Sequence, residues 1–82
     1  MWIRSQNKLS LRNYNGVFID STRIGVICGD ANNEESWYTI GEYSSDERAL
    51  KVLNNIQDVI FLRKNYYAMP KDMDILDMVN TW

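Results

Sequence analysis

The segment from Gly41 to Ile60 constrains the fold more than any other, because it joins a helix-start signal to a helical apolar stripe. Ser44 is suited to the N-cap position, since its hydroxyl can accept a hydrogen bond from the backbone N–H of Glu47, and the Glu47 carboxylate can reciprocate. The apolar residues that follow recur at helical spacing on one face: Ala49, Val52, Leu53, Ile56 and Ile60. We therefore expect a helix over residues 45–62, with Leu53 buried and Asn65 as the left-handed cap.

Most of the remaining chain has the period-two alternation and the β-branched or aromatic content that are typical of strands. The predicted strands cover residues 1–6, 9–14, 17–19, 23–28, 36–43 and 66–69. Turns are expected at residues 7–8 and 20–22, and Asn15-Gly16 has the composition of a type I′ hairpin turn. Residues 29–35 are polar and predict a loop.

A second, C-terminal helix is expected to begin at Pro70, where the missing N–H of proline costs nothing, with Asp72 and Asp74 in its first turn. Strands that precede a helix in this way indicate an α+β fold rather than alternating βαβ units. We predict one domain over residues 1–82: a small antiparallel β-sheet meander packed against one main helix, with a short late strand and the C-terminal helix.

The charge distribution limits the classes of partner. The chain carries a net charge of −2, which argues against general nucleic-acid binding. Residues 1–29 nevertheless hold four basic side chains and one acidic one, whereas residues 30–82 hold five basic and ten acidic ones. A local site for a small anion on the N-terminal strands is compatible with this asymmetry, and so is an ordinary solvated surface. No apolar run is long enough to span a membrane, so a membrane partner is not expected.

Residues suited to catalysis or to metal binding are scarce. The chain contains no histidine, and its one cysteine, Cys28, lies in an apolar strand and is best explained as a core residue. A lone cysteine allows no intramolecular disulfide and is compatible with a reducing cytoplasm. The aspartates Asp72, Asp74 and Asp77 are better explained as acids near a helix start than as metal ligands. The sequence predicts no enzyme, no metal and no cofactor.

Aromatic and basic side chains near the N-terminus suggest a binding site instead. Alternation places Trp2, Arg4 and Gln6 in a row on one strand face, and Arg12 and Tyr14 together on a face of the next strand. Arginine binds phosphate through paired hydrogen bonds and aromatic rings stack on bases, so these five residues, with Trp37, are the predicted ligand-binding set. The alternative is that Trp2 is a core aromatic and that Arg4 lies along it or pairs with an acidic residue.

Three segments of the chain resemble a group of short proteins from Gram-positive bacteria, their prophages and phages. The first is the opening MWIRSQ, and the last is Tyr67-Ala68-Met69-Pro70. The middle one is a Gly-x-Tyr-x-Ser-x-Glu-Arg-Ala segment, matched by Gly41, Tyr43, Ser45, Glu47, Arg48 and Ala49, and continued by Val52 and Leu53. The resemblance implies phage or prophage origin and an α+β fold, and it brings no catalytic residue with it.

Two functional hypotheses follow. In the first, the protein counters a host defence in the host cytoplasm by sequestering a nucleotide immune signal of the cyclic dinucleotide or cyclic ADP-ribose class, without turnover, as a homo-oligomer. In the second, it inhibits or adapts a host protein through an acidic surface or through an edge strand. Oligomerisation would help a chain of 82 residues, because a domain this small buries little surface on its own.

Overall fold

The computed structural model describes residues 1–31 and 37–75, which form a five-stranded sheet packed against one α-helix. The strands are β1 (Trp2–Arg4), β2 (Leu11–Ile19), β3 (Val26–Ala31), β4 (Trp37–Glu42) and β5 (Tyr66–Ala68), and the helix α1 spans Asp46–Phe61. The predicted α+β class is confirmed. The order across the sheet is β4-β3-β2-β1-β5.

The pairing of β5 differs from the antiparallel expectation. β5 runs parallel to β1, with Trp2 opposite Tyr66 and Arg4 opposite Ala68, whereas the other neighbours are antiparallel. The chain reaches β5 through α1, and a helical connection of this length is what allows two strands to run parallel. The sheet is therefore mixed.

The predicted hairpin turn at Asn15-Gly16 is wrong, because β2 continues through it. The first part of β2 pairs with β1, and the part from Tyr14 onward pairs with β3 on the opposite edge. The register shifts between Tyr14 and Gly16, so the extra residue forms a β-bulge where β2 changes partners. The two predicted strands over residues 9–14 and 17–19 are thus one bent strand.

Bending brings the end of β1 round to the far edge of the sheet. The backbone N–H of Gln6 donates to the Ile40 carbonyl at 2.9 Å, although β1 and β4 are not neighbours in the strand order. The Gln6 side chain continues this contact: its carbonyl accepts from the Glu42 N–H at 2.8 Å and its amide donates to the Glu42 carbonyl at 2.9 Å. A glutamine amide therefore pairs with β4 as a backbone peptide would.

The concave side of this sheet, called the inner face, holds the core. Residues that are paired across a ladder point to the same side, so alternation assigns one residue in two to each face. The strands contribute the buried side chains of Ile3, Tyr14, Ile27 and Ile40, and α1 contributes Ala49, Val52 and Ile56. Tyr14 lies so close to Gly29 that a Cβ there would be 2.5 Å from the tyrosine ring, which explains the glycine.

The helix begins one residue later than predicted. Ser45 is the N-cap and its hydroxyl accepts from the Arg48 N–H at 3.2 Å, so the capping box of Ser44 and Glu47 does not form. Ser44 is occupied elsewhere: its N–H and hydroxyl both donate to the Asp72 carboxylate. Both serines can cap a helix. Because the contact with Asp72 engages Ser44, Ser45 is the residue that serves as the N-cap.

The helix end and the apolar stripe also differ in detail. The left-handed residue is Arg63, with φ 60°, and the N–H groups of Arg63 and Lys64 donate to the carbonyls of Ile60 and Val59 in a Schellman motif. Asn65, the predicted cap, instead accepts from the Trp2 N–H and begins the β5 pairing. The stripe is rotated as well: Val59 packs on the core, while Leu53 is half-buried and Ile60 is exposed.

The chain after β5 is tied to the start of the helix. The Pro70 carbonyl accepts from the Tyr43 hydroxyl at 2.8 Å, and the Asp72 carbonyl accepts from the Arg48 guanidinium at 3.0 Å. Residues 72–75 form a 3₁₀ turn that buries Ile75 in the core. The rest of the predicted C-terminal helix, residues 76–82, lies outside the described residues.

Candidate functional site

The convex side of the sheet, called the outer face, exposes a group of large apolar side chains. Trp2 is 42% exposed and Tyr66 is 52% exposed, and they are in register on neighbouring parallel strands. Leu11 is exposed on the same face, opposite Arg4 on β1. Burial decides between the two readings of Trp2: it is a surface aromatic, and the core side of β1 is occupied by Ile3.

Arg4 lies beside this aromatic pair and retains donor capacity. Its side chain is flanked in register by Leu11 and Ala68, and its Nη1 donates to the Lys8 carbonyl at 3.2 Å. Within residues 1–31 and 37–75 it forms no ion pair with an acidic side chain. A guanidinium has five N–H donors in a planar fork, so several remain for an anion.

Gln6, the third member of the predicted row, has a structural role, because its side-chain amide is hydrogen-bonded within the fold. Besides its bonds to Glu42, its amide donates to the Pro70 carbonyl at 3.3 Å. The side chain thus joins the end of β1 to β4 and to the segment after β5. A ligand could engage this amide only by displacing bonds that close the sheet.

Arg12 and Tyr14 share a face, as predicted, but it is the inner one. Arg12 is opposite Ile3 in the β1–β2 ladder, and its guanidinium carbon lies 4.3 Å from the centroid of the Tyr38 ring. Tyr14 is buried, and burial raises the pKa of its phenol, opposed by the nearby Arg12 charge. The structure therefore separates both residues from Trp2 and Arg4.

Trp37 is on the outer face, with two strands between β4 and β1. Its indole is 56% exposed and meets the Phe18 ring edge-to-face, with the centroids 5.7 Å apart. Its ladder partner is Asp30. Of the six predicted ligand-binding residues, then, the fold brings Trp2 and Arg4 together and places Gln6, Arg12, Tyr14 and Trp37 in other environments.

Tyr66 is the residue that the predicted site omits. Its position next to Trp2 depends on the parallel pairing of β5 with β1, which links residues more than sixty positions apart. The sequence did indicate an exposed ring here, because side-chain alternation along a strand places one ring of the Tyr66-Tyr67 pair on the inner face and the other on the outer face. Tyr67 is the inward one: it is buried and its hydroxyl donates to the Asn55 side chain at 2.7 Å.

Clusters of metal-ligating side chains are missing from the part of the chain that the structure describes. No three histidine, cysteine, aspartate or glutamate side chains come close enough there to hold a metal ion. Cys28 is buried, as predicted, and its sulfur lies 3.8 Å from the Arg23 guanidinium. That guanidinium is shared with Asp20 and Thr39, so it secures the turn after β2 to the sheet.

Comparisons with known proteins found no match to the chain. No protein-family model matches it, and neither does any curated protein or any solved structure. Among the described residues, α1 falls short of the length and apolar content that a membrane-crossing helix requires. The resemblance to short phage and prophage proteins stays a prediction, and the case for a function depends on the outer face of the sheet.

Proposed function

We propose that this is a non-catalytic binding protein that holds a small anionic nucleotide on the outer face of its sheet. The observation that carries the proposal is the pair of exposed rings, Trp2 and Tyr66, with the Arg4 guanidinium one step further along β1. Such a surface offers stacking and charge to a ligand but no general acid, base or nucleophile.

The spacing of these groups suits a nucleoside phosphate. In-register residues on neighbouring strands are about 4.8 Å apart, so the two side chains leave the sheet next to each other, a spacing that suits stacking on one base. Arg4 is two residues from Trp2 on the same face, a distance of about 6–7 Å along the strand. The guanidinium donors not used by Lys8 can bind phosphate oxygens through paired hydrogen bonds.

The resemblance to phage proteins extends this proposal to a biological role. We suggest that the ligand is a host immune signal of the cyclic dinucleotide or cyclic ADP-ribose class, which the protein sequesters unchanged in the host cytoplasm as a homo-oligomer. A second copy would contribute additional surface, because one flat face encloses only part of such a ligand.

Calorimetry tests the ligand class directly. We expect saturable binding of at least one member of a panel of cyclic dinucleotides and cyclic ADP-ribose isomers. Native mass spectrometry of the complex gives the stoichiometry, and the ligand that is released by denaturation should have its original mass. A panel without any binder tighter than about 1 mM would end the small-nucleotide proposal.

Matched variants locate the site. Trp2→Ala should weaken binding about tenfold or more, because one stacking contact is lost. Arg4→Gln should weaken it similarly and reduce its dependence on salt concentration. Arg63→Gln, at the exposed end of α1, and Arg12→Gln, on the inner face, are the controls and should leave the affinity unchanged. Equal losses from all three arginine variants would indicate only nonspecific charge attraction.

A second candidate function is favoured by the free edge of β5. Met69 N–H and the Asn65 carbonyl bond to β1, so alternation directs the backbone groups of Tyr66 and Ala68 to the other edge. No strand within residues 1–31 and 37–75 pairs there. The protein would then act as an inhibitor or adaptor that adds an extended segment of a host protein to its sheet.

The variant Ala68→Pro separates this candidate from the first. It removes the outward N–H of β5 and leaves the bonds to β1 intact. A host partner recovered with the wild-type protein should be lost with Ala68→Pro, while nucleotide affinity should stay the same. A partner that is retained by Ala68→Pro does not use this edge.

A further inference from the structure

A pocket of about 590 Å³ opens on the outer face between the second half of β2, the turn that follows it, and the strands β3 and β4. Its lining includes the aromatic side chains of Phe18 and Trp37, the turn at Asp20 to Thr22, and Asp30. The predicted nucleotide-binding set includes Trp37 but takes no account of the acidic residues around it.

One wall of the pocket is aromatic. Phe18 and Trp37 meet at an angle of 78°, so the edge of one ring supports the face of the other. The Trp37 indole remains 56% exposed and can stack against a flat group. Beside it, Asp30 is opposite Gly16 on β2, and nothing lies within 4 Å of where a Gly16 Cβ would be. No described residue therefore blocks the approach to the Asp30 carboxylate from the side of Gly16.

The pocket carries one negative charge without a basic partner among the described residues, because the Arg23 guanidinium lies 2.9 Å from the Asp20 carboxylate and no such partner faces Asp30. Asp20 and Asp30 are the ionisable groups of the lining. Asp20 is already engaged, since hydrogen bonds from Thr22 and Arg23 lower the pKa of its carboxyl to about 2. The Asp30 side chain is exposed, and its carboxylate has no hydrogen bond or ion pair with any other described residue.

An exposed indole beside an unpaired carboxylate is complementary to a flat cation. We propose that this pocket binds the guanidinium of an arginine side chain from a partner protein. The guanidinium would stack on the Trp37 indole and donate paired hydrogen bonds to the Asp30 carboxylate. Arginine suits the pocket better than lysine, because its charged group is planar and less strongly hydrated. A phosphate group would be repelled by the Asp30 carboxylate, so the pocket differs in its charge from the nucleotide site around Arg4.

The test uses the amides of N-acetyl-arginine, N-acetyl-citrulline and N-acetyl-lysine as probes. Citrulline has nearly the shape of arginine but carries no charge. The indole N–H resonance of Trp37, assigned by its loss in Trp37→Phe, reports binding in titrations up to roughly 100 mM, the range of a single weak contact. We expect saturable shifts with arginine amide and affinities at least about fivefold weaker for the other two.

Two variants at aspartates provide the matched comparison. Asp30→Asn keeps the shape of the side chain and should remove the preference for arginine over citrulline. Asp58→Asn, on the exposed surface of α1, should leave that preference unchanged. Equal shifts with arginine and citrulline in the wild-type protein, or the absence of saturable shifts, would overturn the proposal. Equal affinity for lysine would also overturn it, because planar stacking would then have no role.

This inference does not depend on the nucleotide proposal. The nucleotide experiment measures how variants at Trp2 and Arg4 change nucleotide affinity. The arginine experiment measures how variants at Trp37 and Asp30, on other strands of the sheet, change the binding of arginine amide. One experiment can therefore fail while the other succeeds, and the failing site is identified by its own variants.

Discussion

The two faces of this sheet are built from the same strands and have opposite environments. On the inner face, Ile3 and Ile40 are at most 2% exposed and pack with α1. On the outer face, Trp2, Tyr66 and Trp37 are about half exposed, and no helix of the described residues covers them. The inner face therefore supplies the stability of the fold, and the outer face keeps its large apolar side chains available for a partner.

The same contrast explains the segments that carry the resemblance to phage proteins. Gln6, Tyr43 and Pro70 come from its three separate segments, and hydrogen bonds to the Pro70 carbonyl bring them together. Arg48 joins them through the Asp72 carbonyl. Most of the recognisable residues thus hold the fold together, whereas Trp2 and Arg4 in the opening segment face outward.

The largest expected effect is on the inner face. Ile56→Ala should lower the free energy of unfolding by about 2–5 kcal/mol, because it removes a fully buried side chain from the core. Urea denaturation measures the change. Ile60→Ala is the matched control, since Ile60 is exposed near the end of the same helix, and it should change stability by less than about 0.5 kcal/mol. Equal costs for the two variants would mean that the helix face is assigned incorrectly.

Alkaline pH should also distinguish the faces. Burial raises the pKa of Tyr67 to about 12 and raises that of Tyr43 as well. A raised pKa stabilises the fold at pH values below the unfolded value near 10, and this contribution is lost as the pH rises toward 12. Between those values Tyr67 alone should cost about 1.4 kcal/mol per pH unit.

Thermal unfolding between neutral pH and pH 12 checks this expectation. Tyr67→Phe should reduce the loss of stability at high pH, since a phenylalanine cannot ionise. Tyr66→Phe, the adjacent ring on the outer face, is the control and should leave the pH dependence unchanged. If both variants behaved alike, the assignment of Tyr67 to the inner side of β5 would be wrong.

The contact that closes the sheet should have an intermediate effect. Gln6→Glu replaces the amide that donates to the Glu42 and Pro70 carbonyls with a carboxylate that cannot donate. We expect a loss of about 1–3 kcal/mol in the free energy of unfolding, because the Glu42 and Pro70 carbonyls lose their donor and face a carboxylate instead. Gln57→Glu, on the exposed side of α1, is the control for the change in charge. Hydrogen exchange at the backbone amide of residue 6, which donates to the Ile40 carbonyl in the same contact, should increase in Gln6→Glu and stay unchanged in Gln57→Glu.

The smallest expected effect on stability is on the outer face. Tyr66→Ala should change the free energy of unfolding by less than about 1 kcal/mol, because the ring is half exposed on an edge strand. If the proposed nucleotide site is correct, the same variant weakens ligand binding about tenfold. Phe61→Ala removes another exposed aromatic ring, at the end of α1, and should affect neither quantity. A large destabilisation by Tyr66→Ala would indicate that the outer face belongs to the core.

The sequence by itself determined the local features of this protein. The helical stripe predicted α1, alternation along β1 separated Ile3 from Trp2, and the polar residues after β2 predicted the turn at Asp20. Each of these depends on residues within a few positions of one another, where side-chain period and turn chemistry are sufficient. Even the displaced N-cap differs by one residue between two adjacent serines.

Only the tertiary structure decided which local options were used and which surfaces face one another. Asn15-Gly16 became a bulge instead of a turn because the two parts of β2 pair with different strands. The Gln6 side chain bonds to β4 instead of facing the predicted site, and the pairing of β5 with β1 places Tyr66 beside Trp2. Both contacts join segments that are distant in sequence. Long-range pairing is chosen by the total free energy of packing around the core, which no local pattern encodes, and the composition of the candidate site follows from that choice.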